Sequence, residues 1–244
     1  MAMKLPKLIR HYSDIEAEKN ERRDSDDKTR RKQLGTAEPA KMPDFTLIYF
    51  NARGTAEPIR WMFTYADIPF SDERIEREDW PERKSSIPGG KLPVLMVDEK
   101  PLPQSQAIAR YVAREAGLLP EDNLEAAYCD ALVDTIRDVM EKVYGKMMSE
   151  EDEDERKRWF VEEFFPYHMA PVLARLNARL SGQEWFVGEQ VTWADFMIAH
   201  AFGEIHSHHP DVFEDYSAVT EHIEKVRELP AIKDWIENRP ETSH

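Results

Sequence analysis

The chain has 244 residues, enough for one large domain or two modest ones, with 41% hydrophobic and 33% charged residues and a mean hydropathy of −0.67. Its longest run free of Asp, Glu, Lys and Arg is 11 residues, Phe164 to Ala174, and contains two prolines. A helical membrane span needs about 20 apolar residues, so no membrane insertion is expected. The net charge of −15 comes from 33 basic and 48 acidic residues; residues 1–42 hold 11 and 8 of these, which leaves −18 on the remainder, a surface that repels nucleic-acid backbones.

Cys129 is the single cysteine, so no internal disulfide is expected, and no secretory apolar core follows Met1. A reducing, cytoplasmic address is the default. Residues 1–42 read as a disordered charged extension, because Asp14 to Lys32 is polar with mixed signs and offers no apolar stripe to offset its ordering entropy. Gly35-Thr36-Ala37-Glu38-Pro39 recurs as Gly54-Thr55-Ala56-Glu57-Pro58, too little for a structural repeat. The ordered pattern starts at Met42-Pro43.

Phe45 to Phe50 is an apolar, aromatic run suited to a strand buried on both faces. Ile59, Met62, Phe63 and Ala66 then recur at helical spacing, with Pro58 in the first turn. A short strand near Phe70–Ile75 follows, then a loop and helix-like turn around Trp80–Ser86. Val94–Val97 and Lys100–Pro103 form a predicted hairpin across Asp98-Glu99, without the glycine such turns prefer. Ser105 is expected to cap a helix bearing Ile108, Tyr111 and Val112 that stops at Gly117. The set describes an α/β domain over residues 43–120. Residues 121–244 read as all-helical: Leu132, Ile136, Val139, Val143 and Met147 trace one face, Val172, Leu173, Leu176 and Leu180 another. Thr192-Trp193-Ala194-Asp195 has the pattern of a capping box, and Leu229-Pro230 opens a last helix containing Trp235.

Tyr49-Phe50-Asn51, Gly54, Ala56-Glu57-Pro58-Ile59-Arg60, Asp79-Trp80-Pro81 with Lys84, Gly90-Lys91-Leu92-Pro93-Val94-Leu95, Gln104-Ser105-Gln106-Ala107, Val191-Thr192-Trp193-Ala194-Asp195-Phe196 and Arg239-Pro240 stand in that order. Together they resemble the cytosolic glutathione S-transferases over about residues 43–244, most closely the sigma class, which includes the haematopoietic prostaglandin D synthases. The resemblance implies a thioredoxin-like N-terminal domain, an all-α C-terminal domain, a homodimer, and glutathione as co-substrate. It makes Tyr49 the catalytic residue, whose hydroxyl donates to the glutathione thiolate. Glutathione would be held by Tyr49, Phe50, Trp80, Lys84, Gly90, Lys91, Leu92, Pro93, Gln104 and Ser105, with Asp138 of the partner subunit at its ammonium group. Trp80, Lys84 and Lys91 fall at the glycine end. Leu92-Pro93 matches a cis-proline turn that exposes the Leu92 backbone, although sequence alone would make this X-Pro bond trans. Gln104-Ser105 at a helix start suits a carboxylate.

Asp130, Asp134, Asp138 and Glu141 share one predicted helix face. The related prostaglandin synthases hold a divalent ion with acidic residues there, but Arg137 occupies one matched position, so no metal is expected. His200, His206, His208 and His209 show no ligand spacing either. Two other departures matter: Thr55 replaces a family arginine, and Gly145 replaces the tryptophan that lines a prostaglandin pocket. The favoured reading is conjugation of glutathione thiolate to small hydrophobic electrophiles. Alternatives on the same scaffold are a glutathione-dependent isomerase, against which Gly145 weighs, and a lipid-hydroperoxide peroxidase. A non-catalytic crystallin-like or tethered structural protein is the alternative of another class.

Overall fold

The structure, a computed structural model, describes residues 42–242; the charged extension expected over residues 1–42 lies outside it but for Met42. The first part comprises β1 (Phe45–Phe50), α1 (Glu57–Tyr65), β2 (Ser71–Ile75), α2 (Trp80–Arg83), β3 (Val94–Val97), β4 (Lys100–Pro103) and α3 (Ser105–Glu115). The sheet order is β2-β1-β3-β4, with β1 parallel to β2 and antiparallel to β3, which pairs antiparallel with β4. This mixed sheet with its helices is the expected thioredoxin-like half.

Alternation along β1 explains its burial on both faces. Phe45 and Leu47 join the main core with Ile59, Met62, Phe63, Ile108 and Val112, while Ile48 packs on the other side with Ile75, Ile87 and Val94. The predicted stripe of α1 is fully buried at Ile59, Met62 and Phe63. Phe70 falls just outside β2 and stacks on Phe63 at 4.7 Å. In the hairpin, Asp98 takes the left-handed conformation (φ 53°) that a glycine would have supplied, and its carboxylate accepts from the Asp44 amide at 3.0 Å. The residues around Trp80 form a short helix, α2, followed by a tight turn over Lys84–Ser86, in the place of the expected helix-like turn.

One expectation is corrected here. Ser105 does not cap α3; it is the first helical residue, and the capping position falls to Gln104 at φ 79°, with no side-chain hydrogen bond to the helix start. Gly117, at φ 68°, ends the helix as expected.

The rest is helical: α4 (Asn123–Ser149), α5 (Glu153–Trp159), a π-helical stretch Phe160–Met169 containing Pro166, then α6 (Ala170–Leu180), α7 (Trp193–His208), α8 (Ser217–Arg227) and α9 (Pro230–Asn238). Asp122 starts α4 by accepting from the Leu124 and Glu125 amides at 2.9 and 3.0 Å. On α4 the buried stripe includes Cys129 and Val133 with Ile136 and Val139, whereas Leu132 and Val143 are only partly buried. Helix α7 is apolar around most of its circumference and runs through the core, burying Trp193, Phe196, Ala199 and Phe202. Its capping box is present, and Asp195 serves more than the cap. The carboxylate accepts from the Thr192 amide (2.7 Å) and hydroxyl (2.8 Å), the Phe186 amide (3.0 Å) and His222 Nε2 (2.9 Å).

The sheet-bearing part and the helices share one buried ionic joint. Glu57 on α1 is fully buried and accepts from Arg60 (3.0 Å), Trp61 (3.3 Å) and Trp235 of α9 (2.9 Å), as well as from Arg239. Arg60 also donates to the Ala52 carbonyl at 2.8 Å and to Asp72 at 3.0 Å. Burial alone would raise the Glu57 pKa; the charge and hydrogen bond of Arg239, the Trp235 donor and Arg60 outweigh it and hold the value at about 2. Among the described residues no helix is long and apolar enough to cross a membrane.

Candidate active site

The strand register gathers the expected site residues at one end of the sheet. Tyr49 and Phe50 end β1, and Ile48 pairs with Val94, so Leu92-Pro93 leads into β3 beside them. Val94 pairs in turn with Pro103, which sets Gln104-Ser105, at the start of α3, next to the same turn. The Leu92-Pro93 bond is cis, as the family resemblance implied and composition would not. Trp80 is linked to Tyr49 through Phe50, with ring centroids 5.8 Å (Tyr49–Phe50) and 5.2 Å (Phe50–Trp80) apart. Leu92 and Trp80 both pack on the Ile48–Ile75–Ile87–Val94 cluster. Gly90, at φ 58°, lies against the aliphatic stem of Lys84, while the Lys91 side chain is exposed.

The Tyr49 hydroxyl sits against the loop that follows its own strand. Its oxygen accepts from the Thr55 amide and the Thr55 hydroxyl, each at 3.4 Å. Gly54, at φ 43°, makes this approach feasible: a Cβ there would stand 2.5 Å from the hydroxyl oxygen. Thr55, read from sequence only as a lost arginine contact, is therefore a neighbour of the phenol. The Arg60 guanidinium lies 6.0 Å from the Tyr49 ring centroid.

Helix α7 also reaches this loop. His200 is buried, places Nε2 2.8 Å from the Gly54 carbonyl oxygen and meets Trp61 edge-on at 5.6 Å. One turn further, Glu204 pairs with Arg53 at 2.9 Å. Burial lowers the His200 pKa, against the opposing pull of Glu204 and Glu57. Tyr144 of α4 feels the same neighbourhood: desolvation first, then Tyr49 and Glu204, raise its pKa.

Asp138 lies on α4 with an exposed carboxylate. Arg137 stands among the acidic face, 3.3 Å from Asp134 and 3.7 Å from both Asp138 and Glu141, and donates to Gln106 of α3 at 2.9 Å. That placement sets one guanidinium among three carboxylates, so the face stays acidic but its charge is partly offset. Among the described residues no group of three or more His, Cys, Asp or Glu side chains is gathered to hold a metal ion. The remaining histidines have other contacts: His206 edge-on to Phe213 (5.1 Å), His208 at the Glu204 carbonyl (2.9 Å), His209 stacked on Phe160 (4.1 Å).

His200, Glu204 and Tyr144 were not among the residues expected at the site. The only available signal was the helical spacing of His200 and Glu204, and nothing local pairs them with residues 53 and 54.

A sheet end with a strand-terminal tyrosine, a cis-proline turn and a polar helix start is the arrangement of a thioredoxin-like domain. The family described as "Glutathione S-transferase, N-terminal domain" matches residues 45–114, and "Glutathione S-transferase, C-terminal domain" matches residues 137–239. Human haematopoietic prostaglandin D synthase is 39% identical over 201 residues, covering 82% of this chain and 99% of the relative. Glutathione S-transferase 1 of Ascaris suum is 38% identical over 208 residues, 83% and 100% of the two chains. Among solved structures, a monomeric glutathione S-transferase of the hookworm Necator americanus aligns with a TM-score of 0.76 at 34% identity, covering 82% of this chain and all of that one. Rat haematopoietic prostaglandin D synthase complexed with a quinoline gives 0.75 at 39% identity, covering 83% and 100%. The chain belongs to the glutathione S-transferase family, enzymes that take glutathione as co-substrate.

Proposed function

We infer that this protein is a sigma-class, cytoplasmic glutathione transferase that conjugates the glutathione thiolate to small hydrophobic electrophiles, with Tyr49 as the catalytic residue. One observation carries the reading. Both Thr55 donors approach the Tyr49 oxygen, so that oxygen acts as acceptor and the phenol's own proton is left to be donated to a sulfur. A thiol with pKa of about 8.5 is only a few per cent ionised at pH 7, and a donor aimed at the sulfur favours the anion. The larger rate term is holding the electrophile beside that sulfur.

In this reading Phe50, Gly90 and Pro93 shape the glutathione cleft, and the Leu92 backbone pairs with the peptide. Gln104-Ser105 at the α3 start takes a carboxylate, and Trp80, Lys84 and Lys91 take the glycine end. The enzyme is a homodimer in which Asp138 of the partner subunit receives the ammonium group, and the domains divide at residue 120 behind the extension of residues 1–42. The exposed ion pairs of Arg137 are worth little to stability, so Asp138→Asn should leave folding unchanged. It is expected to raise the KM for glutathione several-fold with little change in kcat, as steady-state kinetics would show; an unchanged KM removes Asp138 from the site.

Turnover of a chloronitrobenzene substrate tests the main reading, and its absence at saturating glutathione would overturn it. The 39% identity to a prostaglandin D synthase supports a second reading as an isomerase, against which weighs Gly145, standing where the family resemblance implies a tryptophan. A panel comparing prostaglandin isomerisation with conjugation and peroxide reduction separates these activities. Gly54→Ala gives a sharper check. The new Cβ would collide with the Tyr49 hydroxyl, and a displacement of about 1 Å costs about 100-fold. We expect kcat to fall by about that factor while circular dichroism stays that of the parent protein.

A further inference from the structure

Two side chains of α7, His200 and Glu204, grip the loop that carries the Tyr49 neighbours, and their geometry is specific. They lie one turn apart, so both project from one face toward residues 53–54. A carbonyl oxygen can only accept, so His200 Nε2 carries the proton donated to Gly54 at 2.8 Å. Glu204 fixes the preceding residue through Arg53 at 2.9 Å. Thr55, directly after Gly54, presents its amide and hydroxyl to the Tyr49 oxygen. His200 is buried, faced by Glu204 and Glu57 on one side of the charge balance and Arg239 on the other, and packed on Trp61.

We propose that His200 and Glu204 are positioning residues for Tyr49: by clamping Arg53-Gly54 from the helical part, they hold Thr55 where it donates to the phenol oxygen and so strengthen the phenol as a donor to the bound thiolate. The hydrogen bonds act in series, Thr55 to Tyr49 to sulfur, and each polarises the next. The clamp makes the helical part a component of thiol activation, beyond its part in holding the substrates. This inference rests on the assignment of Tyr49 as the thiolate donor.

The test is a pH titration of the ultraviolet absorbance of glutathione thiolate bound to the full chain. His200→Leu removes the donor within a similar volume, whereas His200→Gln keeps a donor near Nε2. We expect His200→Leu to raise the bound-thiol pKa by about half a unit to one unit, a roughly three- to tenfold lower thiolate fraction below that pKa. His200→Gln should stay within about 0.3 of the parent value. In a Tyr49→Phe background His200→Leu should add nothing, since it acts through the phenol. No shift with His200→Leu, or an equal shift with His200→Gln, overturns the proposal while Tyr49→Phe still moves the thiol. If Tyr49→Phe moves nothing, the proposal and the assignment beneath it both fall. Should His200→Leu not fold, Glu204→Gln, at a partly exposed position, reads the same loop. Removing its negative charge alone would lower the thiol pKa, so a rise identifies positioning, and a fall or no change overturns it.

Discussion

Tyr49→Phe should leave glutathione affinity near that of the parent enzyme and raise the pKa of the bound thiol by about 2 units. Both numbers come from one calorimetric titration series across pH. The phenol touches the ligand at one atom among many, which is why affinity should barely change. The ionised fraction at pH 7 would fall roughly 25-fold if the thiol moved from about 6.5 to about 8.5. A more basic thiolate is also more nucleophilic, which returns about 8-fold at a Brønsted slope of about 0.45. Ionisation therefore accounts for about a 3-fold loss of turnover at pH 7, and as pH rises past the variant's thiol pKa that loss should turn into a gain approaching about 8-fold. A deficit that persists at high pH measures the phenol's part in orienting the sulfur. An unchanged thiol titration would remove Tyr49 from its assigned role.

Glu57→Gln should cost about 3–5 kcal/mol of folding stability, as expected when one partner of a buried ionic network is lost. For a chain of this length that is a drop of about 10 °C in Tm, read by thermal unfolding. The same carboxylate sets a pH dependence. Its folded pKa is about 2 against an ordinary 4.5, so its contribution is complete above about pH 4.5 and is lost as pH falls toward 2. The Gln variant should lack this part of the acid transition. Equal acid sensitivity in both proteins would show that other carboxylates dominate.

The elements were legible because burial imposes periodicity. The stripe Ile59, Met62, Phe63, the run Phe45–Phe50 and the Leu173–Leu176–Leu180 face are each forced by a core on one or both sides. The placement of the candidate site residues was legible where it follows local pattern and family motif: Tyr49 at a strand end, Leu92-Pro93 before β3, Gln104-Ser105 at a helix start. Local rules failed at Gln104, whose positive φ displaced the cap from Ser105, and at Asp98, which took a glycine's conformation. They could not reach His200 and Gly54, 146 residues apart, nor Glu57 and Arg239, 182 apart, because no spacing rule ties such positions before the chain is folded. Thr55 shows a third kind of difficulty: as a substitution it reads as a loss, and only the approach of its hydroxyl to the phenol oxygen gives it a role.

The joint at Glu57 gives this protein an unusual timetable. Translation delivers the acid early, yet two of its four donors, Trp235 and Arg239, are supplied 178 and 182 residues later. While the ribosome is still working, Arg60 and Trp61 already serve the acid, but its ties to the end of the chain wait until Trp235 and Arg239 emerge. A product stopped short of Trp235 would keep only Arg60 and Trp61 on that buried acid and would lack the tie between the first helix and the last.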